Sequence, residues 1–306
     1  MAKRSLRAAL DAGEFIMAPG IHDMIAAVIS NEVGFDFVYG TGYWMTASAY
    51  GLPDAGIATY SQMLDRVATL VRTVNASVIA DADTGYGGLL NVHHTVRGYE
   101  DAGVKAIQIE DQEFPKKCGH TPFKRIVPMI DMIEKVKVAC QARRDPVETL
   151  IIARTDARQS EGFEGAVRRA VAYGEAGADI VFLEALESED EMRAAGARIG
   201  KPLMANMADG GKTPIRSGEA LAALGYRLAI YPSMTGLAAA HAVQTALIEF
   251  KRLGTSDAPS IPLFSFKAFN SLIGFEEVWA FERLWARDVQ KPVSDDEASA
   301  ADGRPR

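Results

Sequence analysis

Eight short apolar runs recur along this chain, separated by stretches in which hydrophobic residues return with a helical spacing. The runs are Phe15–Ala18, Phe37–Tyr39, Ser77–Ala80, Ala106–Ile109, Leu150–Ala153, Ile180–Leu183, Leu203–Ala205 and Leu228–Tyr231. A run that is nearly continuous in apolar residues, rather than apolar at alternate positions, reads as a strand covered on both faces, the condition of a parallel sheet. Between them Ser61–Val74, Asn91–Ala102 and Glu164–Ala176 carry helical periodicity. Gly103 and Gly177 follow the last two, where glycine commonly ends a helix. This alternation predicts βαβ units of the α/β class. Eight of them in 306 residues suit a closed (β/α)8 TIM-type barrel better than an open sheet.

The expected organisation is a single domain over 1–288, with the barrel at about 13–253, a C-terminal helical extension at about 262–288, and a disordered polar tail at 289–306. A long helix is expected at Leu237–Arg252 and a helix pair around Lys267–Asp288. The pair is rich in Phe269, Leu272, Ile273, Phe275, Val278, Trp279, Phe281, Leu284 and Trp285. So much apolar surface beyond a filled barrel points to subunit packing; the alternative is an extra helix folded onto the same barrel. A net charge of −7 argues against a nucleic-acid partner. With only Cys118 and Cys140, a disulfide scaffold and a Cys-rich zinc site are excluded. No apolar run approaches the roughly 20 residues of a membrane span, and Met1–Gly13 has no signal-peptide core. The expectation is a cytoplasmic protein with no membrane partner.

Barrel enzymes place their active sites at the C-terminal ends of the strands. There the chain reads Asp81-Ala82-Asp83, Glu110-Asp111-Gln112, Arg154-Thr155-Asp156, Glu184 and Asn206. Single instances fit helix caps, but five strand ends together ask for another explanation. Asp81 and Asp83, two apart on an extended segment, are expected to point the same way and to meet Glu110 from the neighbouring strand. Crowded carboxylates raise one another's pKa, which a hard divalent cation relieves. All-oxygen donors favour Mg²⁺, with Mn²⁺ the other possibility. The alternative is a set of ordinary loop acids.

The loop Lys116-Lys117-Cys118-Gly119-His120 surrounds a thiol with cations. Such surroundings are expected to lower its pKa, fitting it for proton transfer or nucleophilic attack; the alternative is a solvated basic loop. Cys140, within helical Glu134–Arg143, reads as packing. Gly40-Thr41-Gly42-Tyr43 would let backbone N–H groups approach an anion. Gly85-Tyr86-Gly87-Gly88 reads as a flexible turn or a closing lid.

With these residues in view, the chain from about Phe15 to Trp285 resembles the isocitrate lyase/phosphoenolpyruvate mutase superfamily. The matching motifs are TGYWMTAS…GLPD (Thr41 to Asp54), DADTGYGG (Asp81 to Gly88), IEDQ (Ile109 to Gln112), KKCGH (Lys116 to His120), ARTDA (Ala153 to Ala157) and ANMADGGKTP (Ala205 to Pro214). The cysteine loop looks like the mark of the lyase branch, which phosphonate mutases generally lack. The resemblance implies a Mg²⁺-dependent barrel whose C-terminal helices are swapped between subunits of a homotetramer. It implies Asp81, Asp83 and Glu110 as metal ligands, some through water. Thr41, Gly42, Tyr43, Asp54, Gly119, Glu184 and Asn206 would line the substrate site. Cys118 would be the acid/base, supported by Lys116 and His120, and Arg154 would pair with a substrate carboxylate. The implied activity is cleavage of a small 2-hydroxy di- or tricarboxylate, of the 2-alkylmalate or 2-methylisocitrate type, to pyruvate or another 2-oxo acid plus a carboxylate. Hydrolysis of oxaloacetate to oxalate and acetate is the alternative; a phosphonate enzyme and a silent carboxylate-binding barrel stand behind it. Two departures from the methylisocitrate lyases favour a smaller dicarboxylate: the bulk of Tyr43-Trp44, and the segment Asn206–Pro214. That segment is closer to the dimethylmalate lyase, petal-death-protein and oxaloacetate hydrolase group, which usually has Glu where Asp209 stands.

Overall fold

The computed structural model describes residues 3–285 and joins eight parallel strands edge to edge in chain order, the last closing on the first. They are β1 (Ile16–Ile21), β2 (Phe37–Gly40), β3 (Ser77–Asp81), β4 (Ala106–Glu110), β5 (Leu150–Thr155), β6 (Ile180–Leu183), β7 (Leu203–Asn206) and β8 (Leu228–Tyr231). The helices are α1 (Leu6–Asp11), α2 (Met24–Val33), α3 (Gly42–Tyr50), α4 (Tyr60–Thr73), α5 (Leu89–Asp101), α6 (Met129–Ala142), α7 (Arg158–Glu175), α8 (Glu189–Arg198), α9 (Gly218–Ala223), α10 (Met234–Leu253), α11 (Phe266–Leu272) and α12 (Phe275–Trp285).

Each predicted run is a strand, but five of the eight extend one or two residues further at their C-terminal ends than the apolar pattern. The added residues are polar in β3, β4, β5 and β7: Asp81, Glu110, Arg154-Thr155 and Asn206. Ladder hydrogen bonding continues through them, with Glu110 opposite Arg154 and Asn206 opposite Ile230.

Side chains alternate across the barrel wall. Ile79, Ala106, Leu150, Ile152, Ile180, Phe182, Met204 and Ile230 share one buried cluster inside the barrel. Val78, Ala80, Ile107, Ile109, Ile151, Ala153, Val181 and Ala205 share another, between strands and helices. Counting two residues at a time along the inner series leads from Ile79 to Asp81, from Ala106 through Gln108 to Glu110, from Ile152 to Arg154, from Phe182 to Glu184 and from Met204 to Asn206. The same alternation that fills the core therefore aims five polar groups into the mouth of the barrel.

The helices cover the outer cluster by amphipathicity. In α4, Met63, Val67, Leu70 and Val71 form the buried stripe, and Thr59 caps the first turn by accepting from the Gln62 N–H. Complete burial of a side chain such as Leu70 contributes about 1.5–3 kcal/mol. Two features lay outside the sequence reading. Helix α1 adds Leu6 and Ala9 to the inner cluster. Helix α7 begins at Arg158, ahead of the predicted Glu164, with a break at Gly162.

The chain divides into a unit ending at Pro262 and a second beginning at Leu263 that carries α11 and α12. Helix α12 leaves Val278, Trp279, Phe281, Leu284 and Trp285 exposed. The end of the predicted helix pair and the expected tail at 289–306 lie outside the described residues. Among the described residues no helix is long and apolar enough to cross a membrane.

Candidate active site

A cavity of about 310 Å³ opens where the inner series ends. Thr41, Tyr43, Asp54, Asp81, Glu110, Lys116, Cys118, Gly119, His120, Arg154, Glu184 and Asn206 all line it; of the residues expected there, only Gly42 and Asp83 do not. Gly42 stands directly behind the wall, where an added Cβ would come 2.8 Å from Asp81 Oδ2. The glycine-rich stretch after β2 is the start of helix α3. Thr41 is the N-cap of α3, and its hydroxyl makes no capping bond. The first amides of α3 have no partner within the helix, and Thr41 and Tyr43 on either side of Gly42 line the cavity.

Asp83 departs from the extended path assumed for it. Its φ of 49° is left-handed, and its carboxylate lies 2.7 Å from Lys116 Nζ. Its N–H donates to Asp81 Oδ1 at 3.0 Å. Lys116 Nζ also meets Asp54 Oδ1 at 2.5 Å. Burial alone would lower the Lys116 ammonium, but Asp83 and Asp54 hold it well above its ordinary value. Burial pushes Asp83 up to about 7 despite Lys116, and it pushes Glu110 up despite Arg154.

Arg154 is more heavily engaged than a residue kept for substrate alone. Its Nε lies 2.9 Å from Asp156 Oδ2 and 3.3 Å from Glu110 Oε2, and its Nη2 lies 3.1 Å from Glu184 Oε2. Nη1 carries none of these bonds. Glu184 also takes a bond from Asn206 Nδ2 at 3.0 Å. His120 joins this group, with Nε2 3.4 Å from Glu184 Oε1. The Lys212 N–H donates to Nδ1 at 3.3 Å, and Asn206 Nδ2 lies 3.3 Å from Nε2.

The expectation of a low thiol pKa at Cys118 is overturned. Burial pushes the thiol up, and the opposing pull of the His120 N–H and Arg154 is smaller. Lys116, counted from the sequence as an activating neighbour, is turned to Asp54 and Asp83 instead. Cys140 donates to the Gly177 carbonyl at 3.2 Å, as a packing residue would. The Gly85–Gly88 stretch does not line the cavity; Tyr86 within it is tied to Tyr99, hydroxyl to hydroxyl at 3.0 Å.

Three features were missed. Tyr39 donates to Gln108 Oε1 at 3.0 Å, and Gln108 Nε2 donates to Asp81 Oδ1 at 3.2 Å, fixing that carboxylate from below. The signal was available, since Gln108 is the one polar residue inside its run. Lys124 pairs with Asp156 at 2.8 Å, and nothing in the sequence announced it. Ser233 donates to Asp209 Oδ2 at 3.0 Å on the far wall. Asp111, one step out of phase with the inner series, instead accepts from Thr155 at 2.7 Å and Tyr173 at 2.8 Å.

Among the described residues no three His, Cys, Asp or Glu side chains are gathered closely enough to enclose a metal ion. The donor set nevertheless fits a hard divalent cation. It is all oxygen, and Glu110 Oε1 is buried without a hydrogen-bond partner. Six carboxylates (Asp54, Asp81, Asp83, Glu110, Asp156, Glu184) face three cations (Lys116, Lys124, Arg154). An excess of buried negative charge calls for a further cation.

Comparison with known proteins adds to this geometry. A family model described as phosphoenolpyruvate phosphomutase matches residues 6–251. A 2,3-dimethylmalate lyase of Eubacterium barkeri is 41% identical over 281 residues, covering 92% of this chain and 97% of the relative. A 2-methylisocitrate lyase of Aeropyrum pernix is 42% identical, covering 89% and 87%. Among solved structures, oxaloacetate acetylhydrolase in complex with 3,3-difluorooxalacetate superposes with a TM-score of 0.86 at 31% identity, covering 92% of this chain and 96% of that one. Phosphonopyruvate hydrolase in complex with oxalate and Mg²⁺ gives 0.82 at 32% identity, covering 92% and 98%.

Proposed function

The chain belongs to the phosphoenolpyruvate phosphomutase family, within the isocitrate lyase/phosphoenolpyruvate mutase superfamily, and from that premise we propose a Mg²⁺-dependent carbon–carbon lyase that cleaves a small 2-hydroxy di- or tricarboxylate to a 2-oxo acid and a second carboxylate. The observation that carries this reading is the half-buried Cys118 thiol on the wall of a cavity lined by Asp54, Asp81, Glu110 and Glu184. Cleavage of the C2–C3 bond turns the C2 hydroxyl into a carbonyl, its proton passing to a carboxylate of the cavity wall, and leaves an electron pair on the carbon next to a carboxylate, which needs a proton of its own. A thiol held above its ordinary pKa is charged with that proton at neutral pH.

Asp81, Asp83 and Glu110 are the residues that would hold the ion. When bound, Mg²⁺ supplies Lewis-acid stabilisation of negative charge on substrate oxygens. The remaining work belongs to the chain. The Thr41 hydroxyl and the first amides of α3 bind one substrate carboxylate. Arg154 turns its remaining Nη1 donors to the other, held at a fixed angle by Asp156 and Glu184. His120, Glu184 and Asn206 form a connected polar edge beside Cys118. The Cys118 thiol gives its proton to the departing carbon. Asp54 and Asp83 hold the Lys116 ammonium in the wall, offsetting negative charge that develops nearby.

We place the protein in the cytoplasm, a reducing setting that suits Cys118 and Cys140 as free thiols. We also propose a homotetramer built through the C-terminal helices, supported by the exposed apolar side chains of α12. The test of activity is a ¹H NMR time course with Mg²⁺ on 2-methylisocitrate, isocitrate, 2,3-dimethylmalate and oxaloacetate, each beside an EDTA control. Release of a 2-oxo acid and a second carboxylate from one hydroxy acid, stopped by EDTA, is the expected result. Acetate from oxaloacetate would make the enzyme a hydrolase, and no product from any of the four would remove the lyase reading.

A further inference from the structure

We propose that Lys124 is a positioning residue: it clamps the segment bearing Cys118 onto Arg154 and thereby sets where the thiol stands over the reacting carbon. The catalytic meaning of this clamp rests on Cys118 being the proton donor, whereas its geometry stands without that reading.

The segment leaves and rejoins the barrel at a single point. Gln112 and Ile126 bridge antiparallel, and the Glu113 N–H donates to the Arg125 carbonyl at 2.9 Å. Pinning the base of a loop leaves its tip free unless other bonds hold it. On the outgoing side, Gln112 grips the backbone of Lys117, donating to its carbonyl at 2.8 Å and accepting from its N–H at 3.0 Å. On the returning side there is Lys124. Its ammonium donates to the carbonyl of Gly119, the residue after Cys118, and lies 2.8 Å from Asp156 Oδ1. Asp156 in turn takes two bonds from Arg154, at 2.9 and 3.0 Å. One ammonium thus joins the cysteine segment to a guanidinium on β5.

These groups are dry. The Lys124 side chain is 3% exposed and that of Asp156 is 0%, so the pair acts with little solvent screening and leaves a costly charge if broken. Lys124 also adjusts the charge that Arg154 offers. Arg154 faces Glu110, Asp156 and Glu184. By partnering Asp156, Lys124 leaves more of the guanidinium's positive charge for a substrate carboxylate.

The test uses the full chain loaded with Mg²⁺ and reads iodoacetamide labelling of Cys118 by mass spectrometry. Cys140, on α6 and bonded to Gly177, serves as the internal reference. Lys124→Met is expected to speed labelling of Cys118 by ~10-fold with Cys140 unchanged, and to lower kcat by ~10–10² with KM within ~3-fold. Lys124→Arg, which keeps the charge, is expected to recover most of both. Should the Met variant fail to fold, Lys124→Gln keeps a donor for Gly119 and loses only the ion pair, with the same selective increase in smaller measure. Cys118 labelling that stays at the wild-type rate, or that rises together with Cys140, overturns the clamp. Faster Cys118 labelling with unchanged kcat supports the clamp and removes the proton-donor reading.

Discussion

Replacing Gly119 by Ala puts the seating of the cysteine segment under direct test. A Cβ at position 119 would stand 2.6 Å from Glu184 Cγ and 2.9 Å from its Cδ, and nearer still to Arg154 Nη2. Non-bonded carbons settle at about 3.5–4.0 Å, so roughly 1 Å must be found. Glu184 is 1% exposed and held by Asn206 and the Ala185 N–H. Arg154 is held by Glu110, Asp156 and Glu184. The segment is the softer side, and it should lift. A displacement of about 1 Å at a reacting group costs on the order of 10²-fold, equivalent to about 2.7 kcal/mol of activation free energy. If the core yielded instead, the cost would appear as about 1–3 kcal/mol of stability and a Tm lower by several degrees. Steady-state kinetics beside thermal unfolding separate the two: kcat/KM should fall ~10²-fold with Tm nearly unmoved. Wild-type kcat/KM in Gly119→Ala would refute the argument, because it would mean that the segment does not rest on Arg154 and Glu184 during turnover.

Cys118→Ser should lower kcat by roughly 10²–10⁴, the span for losing a general acid, and full activity would end that assignment. Because burial raises the thiol's pKa and the thiol form is the donor, cleavage should persist at neutral pH. It should then fall as pH rises through a value above the roughly 8.5 of a free cysteine; a pH–rate profile of wild type against Cys118→Ser should show this alkaline limb only in the former. Asp83→Ala should abolish metal-dependent turnover and weaken Mg²⁺ binding measured by titration calorimetry, and an unchanged Mg²⁺ requirement would count against the ligand set. Light scattering at micromolar concentration should report four chains, and a monomer would contradict the subunit-packing role given to Trp279, Phe281 and Trp285.

The fold was readable because its signal is repetitive: each strand announces itself by a nearly continuous apolar run such as Ile180–Leu183, whose bounds the structure reproduces. The strand ends were read short for a physical reason. Ladder bonds do not depend on side-chain polarity, so the strands run on into Asp81, Glu110, Arg154 and Asn206, where the hydropathy signal stops. Spacing along the chain could name the candidate residues without telling inward from outward, and Asp111 was therefore grouped with Glu110 although it faces α7 and bonds Tyr173. The pairing of charges was beyond reach. Lys116 is adjacent in sequence to the cysteine loop, but its partners Asp54 and Asp83 come from distant segments. The direction of the Cys118 shift followed the same pattern, since charge neighbours can be counted from sequence whereas burial cannot.

The alternation that carries Ile79 to Asp81, Ile152 to Arg154 and Phe182 to Glu184 makes the reactive groups hostages of strand phase. A substitution at an upper rung changes the chemistry and leaves the hydrophobic rungs beneath untouched, so this barrel is open to new reactions at that level. A single-residue deletion lower in a strand is a different event. Loss of Ile107 or Ile109 would exchange the inward and outward sets beyond it, turning Glu110 to the helices and bringing Asp111 to the mouth. Point replacement and frame change within a strand therefore have opposite consequences here: the first retunes the enzyme, and the second inverts it.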